Sequence, residues 1–496
     1  MLSKESKSEK NNNDDKFEDI TIAALKSLLT NMHDAEIVER KKNREQKVTL
    51  LYIKTLIDQE RLNECIIEPL IHCSGDRVLD CITNAKVSEI TTLSEAQEEI
   101  INGSILLNDS LDNSWWAVRL ENQLNRSIQP SQTETIINGP HDSFIEQIDQ
   151  NIALIRKRIP LTSLKTESFT IGSLSKTKVV MMYIEGLTNP DYISLAKSKI
   201  SNIDFDQFLD SSQVAAFMED HEHTLFPQFL QTDRPDSCAY SLGVGKIILL
   251  VDGTPFALIA PITFFHLFQS PEDYFLRWTI ASFLRSLRFL SFIISIMLIP
   301  LYVALSTHHY QMIPLQILFV LLESRSKLPF TPFWEAMLML IVLEIIKEAS
   351  LRMPTKTGQT LGLIGGIIIG EATVAAAFAS KVLVVLIAIS AIASFLVPNY
   401  LMTKSNALLQ FVFLLLASVL GIYGMVLGGI LLLVHLNGLT SLKQPYLAPF
   451  TPFYWSDWKD LFIRVPLTWM KSRPEHLHPL QKWRYSKRRK SRDSII

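Results

Sequence analysis

The stretch from Glu323 to Tyr400 limits most tightly what this chain can fold into. It is apolar enough for lipid, yet it carries Glu335, Glu344, Lys347, Glu348 and Glu371. An ionisable side chain at membrane depth costs about 2.5–3.5 kcal/mol on insertion scales, so each needs a partner, a cavity or a task. Gly362, Gly366 and Gly370 recur every four residues through its middle, with Gly365 beside them. On a helix that spacing makes a groove into which another helix can pack closely.

A chain of 496 residues is too long for one ordinary core, so several domains are expected. Its 48 basic and 50 acidic residues nearly cancel, but most of the charge lies before residue 285 or after residue 470. The region between is largely Leu, Ile, Val, Phe, Ala and Gly, the composition of a polytopic membrane domain joined to a soluble one. The hydrophilic start has no apolar core of the kind a secretory signal needs. Cys65, Cys73 and Cys81 are spaced by eight residues, which matches no zinc pattern. With Cys238 they read as reduced, mostly buried thiols. There is no P-loop, GxGxxG, HExxH or GxSxG in a suitable setting. His221/His223 and His308/His309 read as solvated loop histidines. The expectation is therefore a protein that is not an enzyme and has no metal, cofactor or catalytic residue.

Residues 1–47 hold ten basic and ten acidic side chains and read as a charged, partly disordered tail rather than a nucleic-acid arm. Two similar units follow. Val48–Ile53 and Lys178–Ile184 are β-rich apolar runs, each leading into a polar turn and a helical pattern. Aligning Tyr52 with Tyr183 matches Ile53 to Ile184, Leu56 to Leu187 and Leu62 to Ile193. A second echo links Gly103–Leu107 to Gly245–Leu249. The expected architecture is an α/β soluble N-terminal region of two related subdomains, 48–158 and 159–275, followed by an all-α polytopic membrane domain. Phe144, Ile148, Ile152 and Ile155 share one helical face, which places a connector helix at the end of the first subdomain. Asp252-Gly253 marks a hairpin turn.

The membrane domain is expected over 276–440, with a basic cytoplasmic tail over 441–496. Arg277, Arg285 and Arg288 precede the first apolar run, and residues 471–496 contain nine Lys/Arg against two Asp/Glu, a net of +7. Both ends therefore read as cytoplasmic, and the tail as facing membrane lipid. Clear spans are 289–305, 361–379, 382–398 and 408–436. Segments 311–322 and 333–349 either both cross, giving six spans, or form a hairpin on the outer side, giving four. The first is short for the ~20 residues a crossing helix needs.

On a helix, Glu344, Lys347, Glu348 and Arg352 fall on one face. That face is either an amphipathic helix end at the headgroup boundary or a charged gate lining. In the next helix Gly362, Gly366, Gly370 and Thr373 gather on a small-residue face while Glu371 points the other way. A ring of Glu371 carboxylates in an oligomer would favour cations. An ion pair with Lys381 or Lys347 is the competing reading.

Several motifs in fixed order give the chain a resemblance to a known family. They are Asn151–Arg156, Gln231–Asp236, Val251–Phe256, Gln269–Tyr274, Glu335-Ala336 with Glu344-Ile345, Glu348-Ala349, Gly358-Gln359 and Ala391–Phe395. The chain resembles the A subunit of GerA-type spore germinant receptors from about residue 48 to 470. The resemblance implies a cytoplasmic region of two α/β subdomains and a domain in the spore inner membrane. It also implies assembly with a transporter-like B subunit and a lipoprotein C subunit. A homo-oligomer forming a nutrient-gated channel for monovalent cations is implied too, against a non-conducting scaffold as the alternative. Where the family often reads I-G-Q-A-A-V-E-A, this chain has Ile369-Gly370-Glu371-Ala372-Thr373-Val374-Ala375-Ala376, so the carboxylate stands one helical turn earlier.

Overall fold

The computed structural model describes residues 20–41, 47–72, 78–82, 86–110, 114–122, 131, 134, 136, 138–352, 366 and 368–484. Two five-stranded antiparallel sheets come first. In one, β1 (Ala35–Lys41), β2 (Lys47–Ile53), β3 (Val87–Ile90), β4 (Ser104–Asp109) and β5 (Trp115–Arg119) lie in the order β1-β2-β4-β5-β3. In the other, β6 (Leu164–Ile171), β7 (Thr177–Ile184), β8 (Leu230–Thr232), β9 (Ile247–Val251) and β10 (Ala257–Ala260) lie in the order β6-β7-β9-β10-β8. Counted from its own first strand, each sheet has the same order, so the duplication read from the sequence is present in the topology. Tyr52 and Tyr183 are equivalent in detail: their hydroxyls donate to Glu36 at 2.7 Å and Glu167 at 2.6 Å on the neighbouring edge strands. Gly103 and Gly245 precede equivalent strands at φ +82° and +100°, a conformation that side chains with a Cβ rarely adopt.

Within the charged segment expected as tail up to residue 47, residues 20–41 are folded. Thr21 caps α1 (Ile22–Leu28) and β1 forms the sheet edge, because Leu25, Leu29 and Met32 find a core against Leu51, Ile53 and Leu106. Residues 1–19 lie outside the described residues. α2 (Leu93–Ile101) starts with a reciprocal cap in which Thr92 and Glu95 satisfy each other's backbone N–H groups. Cys238 is a buried thiol, but Cys81 takes part in a disulfide, which corrects the expectation of reduced thiols throughout.

The expected connector, α3 (Ile148–Arg158), packs on the second sheet rather than closing the first subdomain. Its Ile152 and Ile155 join Val180, Met182, Ile248 and Leu250 beneath that sheet, with Leu242 of α6 (Pro235–Val244). On the opposite face α4 (Pro190–Ser201) and α5 (Ser211–Met218) bury Ala196, Val214 and Met218 against Val179, Met181 and Leu249. A strand covered on both faces must be apolar at every position, hence the unbroken runs in β7 and β9. Each such aliphatic side chain contributes about 1.5–3 kcal/mol. The two subdomains are latched by Asp34, whose carboxylate accepts from Arg156 Nε at 2.6 Å and Nη2 at 2.7 Å and from Thr55 and Thr166.

The helical region is built on α7 (Trp278–Thr307), 30 residues or roughly 45 Å long at 1.5 Å per residue. Around it stand α8 (Leu315–Arg325), α9 (Pro332–Arg352), α10 (Lys381–Phe395), α11 (Tyr400–Leu420) and α12 (Ile422–Gly438). Hydrogen bonds fix their directions. Asn406 donates to Ser295 and His308 meets the Ser418 carbonyl at 2.8 Å, so α7 and α11 are parallel. Tyr302 meets Ser380 and Ser390 donates to the Ser295 carbonyl, so α10 is antiparallel to α7. Contacts of Glu335 with Ser380 and Lys347 with Ser394 make α9 parallel to α10. These Ser and Asn side chains, with Gln410 donating to Ser390 at 2.9 Å, are the polar glue expected where helices cannot be driven together by water.

Two expectations about spans are corrected. The segment 408–436 is not one helix: the chain turns at Gly421, φ +62° and ψ −139°, and α12 runs back along α11. An added Cβ there would lie 2.7 Å from His309 Nε2, so the turn requires glycine. Segments 311–322 and 333–349 also differ from each other. α9 runs the length of the bundle, whereas α8 stays at the end near Thr307 and Glu335. Among the described helices Trp278–Thr307 and Tyr400–Leu420 are long and apolar enough to cross a membrane, while Lys381–Phe395 and Ile422–Gly438 are apolar but shorter.

Candidate functional site

The bundle meets the sheets through a buried cluster of charge. Asp273, in the Gln269–Tyr274 motif, is fully buried; Arg288 Nη1 donates to both its carboxylate oxygens at 2.8 Å and Arg285 Nε donates at 3.1 Å. Arg285, 0% exposed, also donates to Asp460 at 2.8 Å, and Tyr274 donates to the same carboxylate at 2.9 Å. Arg464 donates to the Asp273 and Leu276 carbonyls. Arg285 and Arg288 were read as positive charge flanking a span. Instead they are internal fasteners, drawn in because Asp273 and Asp460 neutralise them within a dry contact.

Residues after the bundle complete this junction, so 441–484 is not a free basic tail. Ser441 donates to the Gln228 carbonyl at 2.6 Å, Leu442 enters the core of the second sheet, and Tyr446 donates to the Pro227 carbonyl. Residues 485–496 lie outside the described residues. His476 donates through Nδ1 to Asp457 at 2.7 Å, while His266 accepts through Nδ1 from the Thr263 N–H at 3.0 Å. Burial pushes both imidazole pKa values down. Burial likewise lowers Lys246, at the start of β9, to about 7, with Asp460 pulling the other way. His266, Asp457, Asp460 and His476 line a small cavity of about 60 Å³ beside this cluster.

The residues singled out in the sequence are distributed as follows. Glu335 is fully buried; it accepts from the Ser380 N–H at 2.6 Å, at the N-terminal end of α10, and lies 3.9 Å from Arg325 Nε. A carboxylate at a helix N-terminus is stabilised by the helix dipole. Lys347 pairs with Glu344 at 2.9 Å and reaches Ser394 at 3.3 Å. Glu348 takes Arg352 at 2.9 Å and Lys404 of α11 at 2.8 Å. The face read as one charged patch is thus divided between two ion-paired groups. Gly362 lies outside the described residues. Gly366 and Gly370 face open space, with no atom within 4 Å of an added Cβ. Thr373 donates to the Ile369 carbonyl of its own helix at 2.6 Å. Glu371 is exposed and makes no ion pair with a described residue.

The junction residues Asp273, Asp460 and Arg464 were missed as a group. The available signal was the pairing of an acidic motif with two arginines placed 12 and 15 residues later on one helix. The other motifs also fasten: Asp233 accepts from Ser131 at 2.9 Å, Arg234 donates to the Pro140 carbonyl at 2.9 Å, and the Asp252 turn meets the start of α3.

Duplicated α/β subdomains, locked by buried ion pairs to a bundle containing apolar helices, define a two-part protein with a soluble region and a candidate membrane region. This chain belongs to the GerA family: the family model described as Bacillus/Clostridium GerA spore germination protein matches residues 23–476. Spore germination protein GerQA of Bacillus cereus is 37% identical over 453 residues, covering 90% of this chain and 91% of that protein. Spore germination protein KA of Bacillus subtilis (strain 168) is 34% identical over 476 residues, covering 94% and 88%. The same organism's uncharacterized membrane protein YfkQ is 34% identical over 432 residues, covering 86% and 84%. The crystal structure of the N-terminal domain of the A subunit of the Bacillus megaterium spore germinant receptor GerK3 is 27% identical, with a TM-score of 0.37, covering 49% of this chain and 93% of that one.

Proposed function

We propose that the chain is a membrane subunit of a spore germinant receptor and that several copies assemble into a nutrient-gated cation channel that starts germination. In this reading the bundle sits in the spore inner membrane with both termini in the cytoplasm. The chain works beside a transporter-like B subunit and a lipoprotein C subunit, and it carries monovalent cations rather than catalysing a reaction. The observation that carries the reading is the helical segment at 366 and 368–375. No described residue lies within 4 Å of a Cβ added at Gly366 or Gly370, and Glu371 is exposed on the same helix. A second copy can pack on the open glycines while the carboxylates gather around a shared axis.

The test is ion flux from liposomes holding the purified chain, with Glu371→Gln and Gly366→Leu compared with wild type. Altered flux from an intact oligomer supports a pore at this helix. No flux from any intact preparation refutes autonomous conduction. The alternative is a scaffold that couples the B and C subunits without conducting. It is favoured by one observation: Glu344, Lys347, Glu348, Arg352 and Lys404 neutralise one another within the chain, as structural charges do.

A further inference from the structure

After the bundle the chain does something unusual for a segment beside a soluble domain. Over residues 446–470 three of the four charged side chains turn inward, Lys459 being the exposed one, while several large apolar side chains turn outward. Asp457 is held by His476, Asp460 by Arg285 and Tyr274, and Arg464 is buried on backbone carbonyls. Trp455 is 76% exposed, Trp469 66% and Phe453 58%, with Phe450, Ile463 and Leu467 also exposed. In water this arrangement would be inverted. A contiguous exposed apolar patch marks an interaction site.

Its position shows what covers it. Ser282 of α7 donates to the Arg464 carbonyl at 3.0 Å, so the segment lies against the first turns of that helix. There Trp278, Ile280 and Phe283 are exposed as well. An unbroken series of ring contacts runs outward from the helix: Phe289 to Phe462 at 4.8 Å, Phe462 to Phe265 at 5.7 Å and Phe265 to Phe450 at 6.4 Å. It goes on from Phe450 to Trp458 at 5.3 Å and from Trp458 to Phe453 at 5.4 Å. Through Ser282 the segment lies beside the first turns of α7, and through Phe462 it reaches Phe289 farther along the helix. Lys471 and Lys482 are exposed next to it, and the sequence goes on through Lys487, Arg488, Arg489, Lys490 and Arg492. Aromatic rings beside a run of cations fit a layer that is apolar on one side and anionic on the other.

We propose that residues 446–470 form a non-helical platform that rests in the headgroup layer of an anionic bilayer, with Trp455 and Trp469 as its anchors. The proposal rests on the membrane reading above. Because the same segment supplies Asp460 and Arg464 to the charge junction, the platform sets the height of that junction at the membrane surface.

The test uses the full chain reconstituted in vesicles of phosphatidylcholine and phosphatidylglycerol, brominated either near the headgroup or deep in the acyl chain. Emission lost in the variant W455F/W469F isolates the two indoles, and phenylalanine keeps the ring packing. The expected result is quenching of that emission roughly twofold stronger by shallow than by deep bromines, as for rings at headgroup level. Omitting phosphatidylglycerol should weaken it. Quenching by aqueous iodide but not by bromolipid would overturn the proposal. So would protection from both quenchers that appears only with a co-purified protein, because the patch would then be a protein interface. Alkaline extraction separates the two readings. A chain that stays in the membrane with unquenched indoles refutes the platform alone, whereas a chain that washes off refutes the membrane reading as well.

Discussion

Replacing Asp273 by asparagine should open the junction between the sheets and the bundle. The carboxylate serves both Arg285 and Arg288. Arg285 keeps Asp460 after the change, so most of the damage falls on Arg288, whose remaining partner among the described residues is the Phe268 carbonyl at 3.3 Å. Leaving a buried charge uncompensated costs about 3–5 kcal/mol. At 1.4 kcal/mol per decade that raises the open population roughly a hundred- to a few-thousand-fold. Tryptic cleavage after exposed Arg277 reads this population, since the peptide is accessible to a protease when Arg464 releases the neighbouring Leu276 carbonyl. The measurement is the cleavage rate of the full chain in detergent, for wild type, Asp273→Asn, and Asp273→Asn with Arg288→Met. Removing the orphaned guanidinium should restore most of the protection, because contacting residues are not additive. A cleavage rate for Asp273→Asn within tenfold of wild type, or a double variant no better than the single one, would refute the reasoning.

Two further predictions concern pH. Burial opposes ionisation of Asp34, but Arg156, with help from Thr166 and Thr55, outweighs it and holds the carboxyl below its usual range. A depressed carboxyl stabilises the fold above its ordinary pKa and loses that contribution as pH falls through the depressed value. Asp34→Asn should therefore lower the denaturation midpoint at neutral pH and remove this acid-dependent step; parallel pH profiles for the two proteins would count against it. Lys246 works in the opposite sense. Its folded pKa of about 7 lies below the ordinary ~10.4, so the unfolded chain binds more protons in that interval and stability rises with pH across it. Lys246→Met should raise the midpoint most below pH 7 and least near pH 10, and a uniform gain would show that the ammonium is not the cause.

The repeat was legible because both copies keep the same apolar strand and the same tyrosine, and a strand covered on both faces advertises itself as an uninterrupted apolar run. Tyr52 and Tyr183 could be aligned for that reason. Residues 20–41 misled because α1 and β1 bury only a few apolar side chains among many charges, so composition pointed to a tail. The 408–436 run misled because hydropathy does not register a turn: Gly421 is apolar by any scale, and its positive φ becomes visible only in three dimensions. The junction was hidden for a similar reason. Asp273 was the one nearby clue; Asp460, which lies against Arg285, is far away in sequence. Long-range pairing leaves no local pattern.

The same geometry sorts the five ionisable groups of the central block. Each would cost about 2.5–3.5 kcal/mol at membrane depth if left alone. Glu335 is offset by Arg325 and the end of α10, Glu344 and Lys347 by each other, and Glu348 by Arg352 and Lys404. For these four the fold itself is sufficient reason for the charge, and mutating them tests packing before it tests conduction. Glu371 differs, since no described residue of the chain offsets it and the nearby Gly366 and Gly370 have open space beside them. Under the proposed channel reading that cost is met by water or a cation on an axis shared between copies. That is why it, rather than the more conspicuous cluster at residues 344–352, is the side chain on which the channel reading stands or falls.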